Sequence, residues 1–335
     1  MTRRGLRTSC VLSNAASGGS GLGNVKDQIL PSVHDDEDVR SPSFRTLREP
    51  RTVSLIPCPM TFGQPFTAAD AKGPPQHALE PRLARGPCAR SVGKEGRFPL
   101  TLGGDHSISL GSLAGVLRSR PNTGVIWVDA HADLNTPWIS ESGNMHGMPV
   151  GLLMEGMVPE GKSVGEIEGL NWLSEDWKGE DGWPAYTNGE KPPTLQPSSI
   201  VYVGLRDVDK EEREAIKSLN IKYYSMYDID RLGIGTVMEK SVEHLLKDDP
   251  DRPLHLSYDI DAVDPGQAPA TGTTVRGGLT YREAHFVAER IANSGNLASA
   301  DLVELNPTLS DETGAEETVD LGLQILTSMM GKSII

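Results

Sequence analysis

The stretch L-H-L-S-Y-D-I-D-A-V-D-P, residues 254–265, joins a short apolar run directly to a group of aspartates. The run at 254–258 has the length and composition of a buried strand. Asp259 and Asp261 follow it at alternate positions, so locally extended backbone would project both carboxylates from one face. This stretch therefore predicts a strand that delivers paired acidic side chains to its carboxyl end.

The same arrangement recurs along the chain on both sides of this stretch. Short apolar runs predict strands at 98–102, 124–128, 200–203, 221–224, 254–258 and 297–303. Amphipathic segments predict helices at 109–118, 210–218, 234–246, 281–292 and 318–329. A long Gly/Pro/Trp-rich excursion at 155–199 predicts a structured loop with a short helix near 170–175. Strands that alternate with helices predict an α/β fold, with three α/β/α layers around a central, mostly parallel sheet.

Polar motifs begin where predicted strands end. Gly103, Asp129, Gly204, Asp259 and Glu304 each follow one of the predicted strands. Ligands of open α/β sheets bind outside the carboxyl ends of the strands. We therefore expect the functional site at this edge of the sheet.

Three further motifs are rich in Asp and His: G-G-D-H-S at 103–107, D-A-H-A-D at 129–133 and G-N-M-H-G at 143–147. Imidazoles combined with carboxylates form a mixed donor set that favours Mn²⁺ or a similar ion, whereas zinc sites more often contain thiolates or three imidazoles. A single aspartate at a strand end is more often a turn former or helix cap. Asp228 and Asp230 repeat the D-x-D spacing without the A-V-D-P context, and we predict a structural role for them.

Composition narrows the class of protein. The 335 residues are 37% hydrophobic and 23% charged, which is typical of a soluble globular chain. The net charge of −14 argues against a nucleic-acid partner, and no apolar run is long enough to span a membrane. Cys10, Cys58 and Cys88 are widely spaced and odd in number, which favours a reducing compartment over a disulfide framework.

The beginning of the chain differs from the remainder. Residues 1–50 combine basic, acidic and Pro/Arg-rich segments and predict a disordered extension, while 51–335 predict a single domain. Arg3, Arg4 and Arg7, with no acid before Asp27, are also compatible with a mitochondrial transit peptide. We therefore predict a cytoplasmic location, with a mitochondrial one as the alternative.

Seven strings in order resemble the ureohydrolase family, which contains arginases and agmatinases. They are G-G-D-H-S, D-A-H-A-D-L-N-T-P, S-G-N-M-H-G-M-P-V, G-L-R-D-V-D, S-Y-D-I-D-A-V-D-P, T-G-T and G-G-L-T-Y-R-E. The resemblance covers about residues 98–335 and is greatest to the arginases. It implies the arginase-like fold for the domain, with a first sheet unit that looks shortened before residue 98.

The resemblance also implies the site, residue by residue. The ligands of two Mn²⁺ ions would be His106, Asp129, His131, Asp133, Asp259 and Asp261. Asp133, His146 and Glu304 would be catalytic, with Asp133 or His146 protonating the leaving amine and Glu304 contacting the substrate. Asn135, Ser142 and Asp209 would bind the amino-acid end of the substrate. The implied reaction is hydrolysis of L-arginine to L-ornithine and urea, by a homotrimer.

Three other functions compete with this one. An agmatinase, or another ureohydrolase of guanidino compounds, would use the same metal cluster, but Asn135, Ser142 and Asp209 favour a substrate with an amino-acid end. Metallophosphoesterases also use D-x-H and G-N-H elements, but here the G-D string comes first and no late G-H-x-H string follows. A non-enzymatic homologue would be expected to lack a metal ligand, and all six positions are occupied by ligand-type residues.

Overall fold

A computed structural model describes residues 53–58, 98–180, 183–187 and 189–332. Within them, a seven-stranded sheet has strands β1 Val53–Cys58, β2 Phe98–Gly103, β3 Gly124–Val128, β4 Ile200–Leu205, β5 Lys222–Ser225, β6 Leu254–Asp259 and β7 Leu297–Val303. The α-helices are α1 Ser109–Ser119, α2 Lys210–Ser218, α3 Met226–Leu232, α4 Ile234–Leu246, α5 Tyr281–Ala292 and α6 Glu312–Met329. The strand order is β1-β2-β7-β6-β3-β4-β5, and every pairing is parallel.

Two apolar cores cover opposite faces of this sheet. Along β3, Ile126 and Val128 point into a core that contains residues of α4, α5 and α6. Val125 and Trp127 point into a second core with residues of α1, α2 and the 155–199 excursion. This alternation follows from the two-residue period of a strand, and it confirms the three-layer α/β/α fold with a parallel sheet.

Most predicted elements have the expected bounds. The α2, α4, α5, β3 and β7 elements coincide with the predicted ranges. The β2, β4 and β6 strands and α1 end one or two residues later than predicted, and β5 is shifted by one residue at both ends. The final helix is the exception, because α6 begins at Glu312 and not at residue 318. Asp311 caps it by accepting a hydrogen bond from the Gly314 amide at 2.9 Å. The short helix predicted near 170–175 is a 3-10 turn at Asn171–Leu173.

Two of the helices and sheet strands named above were not predicted. The α3 helix starts directly where β5 ends, so no turn residues separate them in the sequence. Ser225 and Asp228 form a reciprocal capping box at its start, and the Asp228 carboxylate accepts from the Ser225 amide at 2.9 Å. This contact confirms the structural role predicted for Asp228. The other element, β1, pairs with β2 at the edge of the sheet, so a strand does precede the first motif.

Predictions about other segments fall outside the described part of the chain. These are the disordered extension, the transit peptide, the loss of part of the first sheet unit, and the roles of Cys10 and Cys88. No helix among the described residues is both long and apolar enough to cross a membrane.

A tight contact at Gly151 gives a test of the fold. A methyl group at this position would lie 2.1 Å from the Asn135 carbonyl oxygen and 2.5 Å from that of Leu134. Gly151→Ala should therefore lower the free energy of unfolding by about 1 to 3 kcal/mol, the usual cost of overpacking. Gly147→Ala is the matched control, since nothing lies within 4 Å of its added methyl group. Urea denaturation followed by tryptophan fluorescence measures both, and equal losses would contradict the prediction.

Candidate metal centre

The predicted ligands converge at the carboxyl edge of the sheet. In D-A-H-A-D, the Asp129 carboxylate accepts a hydrogen bond from the His131 amide at 2.7 Å. In D-I-D, the Asp259 carboxylate accepts one from the Asp261 amide, also at 2.7 Å. In each motif the first aspartate thus fixes the turn that carries the next ligand. In each of these two aspartates the other oxygen, Oδ2, faces His106 Nδ1.

One group of ligands surrounds His106. Its Nδ1 atom lies 3.0 Å from Asp129 Oδ2, 3.0 Å from Asp133 Oδ2 and 3.1 Å from Asp259 Oδ2. All four side chains are almost fully buried. Three carboxylate oxygens and an imidazole nitrogen at these distances form one candidate metal-binding group.

A second group shares Asp129 with the first. His131 Nδ1 lies 3.1 Å from Asp261 Oδ2 and 3.4 Å from Asp129 Oδ1. The Ala130 amide donates to Asp261 Oδ1 at 3.2 Å, which holds the β6 and β3 ends together. Candidate ligand atoms of Asp129, His131 and Asp261 all lie within 4.8 Å of one another. All six predicted ligands therefore form two adjoining groups, with Asp129 able to bridge them.

The donor set fits divalent cations. His106 Nδ1 and Asp133 Oδ2 are buried and make no hydrogen bond of acceptable geometry, although oppositely charged groups lie close to them. Four carboxylates in a small buried volume repel one another unless cations or protons neutralise them. Two divalent ions would balance four carboxylate charges, and oxygen with imidazole donors suits Mn²⁺.

The pKa values show the same repulsion. Burial raises the pKa of Asp133 to about 7, and the neighbouring Asp129 charge contributes to that shift. Burial, together with the charges of Asp261 and Asp129, raises the pKa of Asp259. Burial would lower the pKa of His131, but hydrogen bonds to Asp129 and Asp261 raise it to about 12. Carboxylates that are this costly to ionise together favour binding of a cation.

Trp127 fixes the orientation of the first group from within β3. Its ring stacks on the His106 ring, with centroids 4.1 Å apart and planes inclined by 10°. Its indole nitrogen donates to Asp129 Oδ2 at 3.0 Å. One aromatic side chain thus contacts two predicted ligands. The sequence analysis did not predict that Trp127 would orient ligands.

Both ligand groups border a cleft. His131 and Asp133 lie in it together with the predicted residues Asn135, Ser142, His146 and Asp209. The Asn135 side-chain amide donates to Asp209 Oδ2 at 2.9 Å. Ser142 is exposed on the loop before the G-N-M-H-G motif, and its Oγ accepts from the Asn144 amide at 3.2 Å. The structure therefore brings the predicted substrate-binding residues to one cleft above the metal centre.

Glu212 is a cleft residue that sequence reasoning missed. Its carboxylate accepts from the Leu134 amide at 2.8 Å and from the Asp209 amide at 3.0 Å. Burial raises its pKa to about 7, despite those hydrogen bonds. The spacing Asp209 to Glu212 is the signature of a capping box, so the sequence could have identified a helix start but not a cleft wall. Other cleft residues that were not predicted are Asn144, Asp207 and Thr273.

Glu304 takes a different position from the other predicted residues. It follows β7, and its Oε1 accepts from the His106 amide at 2.8 Å. Burial raises its pKa to about 8, and the charge of Asp105 adds to the shift. Its side chain lies beside the first ligand group and not among the described residues that line the cleft. Through this hydrogen bond it contacts the backbone that presents His106.

Comparison with known proteins places the chain in a family. The model of the arginase family matches residues 86–331. The arginase of Emericella nidulans is 43% identical over 328 residues, 94% of this chain and 86% of that protein. The arginase of Glaciozyma antarctica is 36% identical over 346 residues, 90% of this chain and 94% of that protein. A crystal structure of Bacillus subtilis arginase superimposes with a TM-score of 0.66 at 32% identity, covering 85% of this chain and 100% of that one.

The family match spans well over half of the chain, and the relatives align along nearly all of it, including the two ligand groups at the sheet edge. The protein belongs to the arginase family.

Proposed function

We propose that this protein is an arginase, a metal-dependent hydrolase that converts L-arginine and water to L-ornithine and urea. One observation carries the proposal: two ligand groups that share Asp129 lie beneath a cleft whose walls are carboxylates and amides, in a chain of the arginase family. Agmatine hydrolysis is the alternative, since the guanidino end of the two substrates is the same.

The metal we propose is manganese, with two ions per chain. His106, Asp129, Asp133 and Asp259 would hold one ion, and Asp129, His131 and Asp261 the other. Bound divalent ions supply hydroxide at neutral pH, because they lower the pKa of water to about 7. The choice of Mn²⁺ is supported by the mixture of carboxylate and imidazole donors and the lack of thiolates among them.

The walls of the cleft would bind the amino-acid end of the substrate. Asp207, Asp209 and Glu212 give the cleft a negative side that attracts an α-ammonium group. Asn135 and Ser142 supply an amide and a hydroxyl that can donate to an α-carboxylate. Asn135 already bonds Asp209, so the donor is held in place before substrate arrives, which reduces the entropic cost of binding.

The leaving amine needs a proton, and two residues in the cleft could deliver it. Asp133 has a pKa raised to about 7 by burial and by Asp129. His146 lies in the same cleft, on a 3-10 turn at Met145–Gly147 and outside both ligand groups. Imidazole transfers protons near neutral pH. We assign the transfer to His146, because Asp133 would be engaged as a ligand.

Urea release by purified protein with added Mn²⁺ tests the proposed reaction. We expect urea from L-arginine, and loss of urea release and of thermal stability after chelation, since ligand binding to the folded state stabilises it. Preferential hydrolysis of agmatine would establish the alternative, and activity in protein shown by elemental analysis to be metal-free would exclude the metal mechanism.

Two histidine variants separate the ligand from the proton donor. His131→Ala should bind less manganese than the wild type, because an imidazole donor is lost. His146→Ala should keep its manganese and lower kcat by about 100-fold, the effect of losing a general acid. Elemental analysis and kinetics of the two proteins make this comparison. Loss of manganese in His146→Ala in parallel with activity would identify His146 as a ligand.

Ser142 tests recognition of the α-carboxylate. L-Ornithine and putrescine differ only in the α-carboxylate. Ser142→Ala should therefore weaken inhibition by ornithine and leave inhibition by putrescine unchanged. A hydrogen bond to a charged group contributes about 1.5 kcal/mol or more, which is roughly tenfold in the inhibition constant. Ser140→Ala is the matched control: Ser140 lies outside the cleft lining, accepts from the Gly143 amide and lies 3.4 Å from Ser142 Oγ, so this variant disturbs the same loop but keeps the Ser142 hydroxyl. Equal effects of the two variants would assign Ser142 to loop structure.

The protein would assemble as a homotrimer. Support comes from apolar side chains that are exposed on neighbouring helices: Tyr227, Leu232, Tyr281, Phe286 and Leu323. Phe286 of α5 lies against the start of α4, and Tyr281 of α5 bonds Gln324 of α6, so these three helices are neighbours. Sedimentation equilibrium should give three times the chain mass, and Phe286→Asp should lower the mass. A wild-type monomer would contradict this assembly.

A further inference from the structure

A chain of buried hydroxyl groups leads away from the metal centre, beginning at the ring nitrogen of His106 that faces away from the carboxylates. His106 directs Nδ1 at the carboxylates of the first ligand group, and its Nε2 lies 2.9 Å from Ser257 Oγ. A neutral imidazole that binds a cation through Nδ1 carries its proton on Nε2. The imidazole N–H therefore donates to the Ser257 hydroxyl.

The direction of the next contacts follows from this first one. Ser257 Oγ lies 3.5 Å from Ser109 Oγ, and Ser109 Oγ donates to Asp301 Oδ2 at 3.0 Å. An ionised carboxylate only accepts hydrogen bonds. The Ser109 hydroxyl therefore donates its hydrogen to Asp301 and accepts a hydrogen bond from the Ser257 hydroxyl. The order is His106, Ser257, Ser109, Asp301, with each donor used once.

The anion at the end of this chain is held in place on several sides. The Ser112 hydroxyl donates to Asp301 Oδ2 at 2.6 Å, and His255 Nε2 lies 3.3 Å from the same oxygen. His255 is in turn bonded through Nδ1 to Ser299 Oγ at 2.9 Å. Burial would raise the pKa of Asp301, but the His255 interaction and the hydroxyl donors lower it. Asp301 therefore remains a negative charge although it is only 1% exposed.

These groups come from four separate elements. His106 follows β2, Ser257 belongs to β6, Ser109 begins α1 and Asp301 belongs to β7. Polar groups are costly to bury in a protein interior unless they are bonded, and Ser109 and Ser257 are 0% exposed. Apolar side chains would pack these elements together at a lower desolvation cost. The buried polar side chains are therefore not explained by packing alone.

We propose that Asp301, acting through Ser109 and Ser257, orients the His106 ring and increases its strength as a metal ligand. The inference rests on the proposed function only in taking His106 as a ligand. An acceptor on the far nitrogen fixes the tautomer of a metal-binding histidine and makes its near nitrogen a better donor. Here the acceptor is Ser257, and its own hydrogen points to Ser109, whose hydroxyl donates to the buried Asp301 carboxylate. Ser257, Ser109 and Asp301 are positioning residues, since none of them touches the cluster of carboxylates through its side chain.

A matched pair of serines tests this inference. Ser109→Ala interrupts the chain of hydroxyl groups, whereas Ser112→Ala removes another hydrogen-bond donor to Asp301 and leaves that chain of hydroxyl groups intact. We expect Ser109→Ala to weaken Mn²⁺ binding at one of the two sites by about tenfold, a typical effect for the outer partner of a ligand, and Ser112→Ala to change it less than twofold. Isothermal titration of the metal-free proteins with Mn²⁺ measures both sites, and thermal melting of the same samples verifies folding.

A double variant shows whether weaker Mn²⁺ binding comes from interrupting the chain of hydroxyl groups or from general loosening of the core. Ser257→Ala removes the direct partner of His106, so adding Ser109→Ala to it should cost little more than the larger single effect, because groups in one network are not additive. Additive losses, or equal losses in Ser109→Ala and Ser112→Ala, would overturn the inference. A wild-type protein that binds no Mn²⁺ would instead refute the proposed function, whereas two tight sites that are unchanged in Ser109→Ala would refute only the role of the hydroxyl chain.

Discussion

The electrostatic repulsion between four buried carboxylates at one sheet edge is the constraint on which the remaining structure depends. Asp129, Asp133, Asp259 and Asp261 are all at most 5% exposed. Burying four such charges close together is unfavourable unless a bound cation offsets their repulsion and the loss of hydration. The surrounding contacts can be understood as ways of keeping these side chains in place while leaving oxygens available for a metal.

The positive charge of Arg206 illustrates how this is done. Its guanidinium donates to the backbone carbonyls of Asp261 at 2.6 Å, Ala262 at 3.2 Å and Val275 at 2.7 Å. It lies near the carboxylates but bonds to the backbone, so it offsets negative charge without occupying the ligand oxygens. It also ties the turn after β6 to the T-G-T loop, which contributes Thr273 to the cleft.

Backbone strain is concentrated at the same edge. Asp133 and Glu304 have positive φ angles of 49° and 62°, a region that non-glycine residues seldom occupy. Such conformations cost about 1 to 3 kcal/mol each and persist where the surroundings impose them. The Glu304 amide donates to the Gly104 carbonyl at 2.8 Å, while its carboxylate accepts from His106. These two bonds hold the strained residue and join β7 to the loop that carries His106.

The sequence by itself determined the periodic elements and the candidate ligands. Apolar runs of strand length followed by D-x-H or D-x-D located the ends of β3 and β6, because a two-residue period is a local property. It did not reveal α3, where a seven-residue helix begins without a turn. Spacing alone leaves Asp228 and Asp259 alike, and only the A-V-D-P context of Asp259 separates them in the sequence. In the structure Asp228 caps α3, and Asp259 faces His106.

Only the tertiary structure decided which distant residues meet. Trp127 on His106, Glu212 in the cleft, and Asp301 behind Ser109 depend on strand order, in which β2 lies beside β7 and β6 beside β3. Contacts between residues as far apart as Ser109 and Asp301 leave no periodic pattern in a single sequence. They arise because a parallel sheet brings all its carboxyl ends to one edge, where burial and charge then fix each partner.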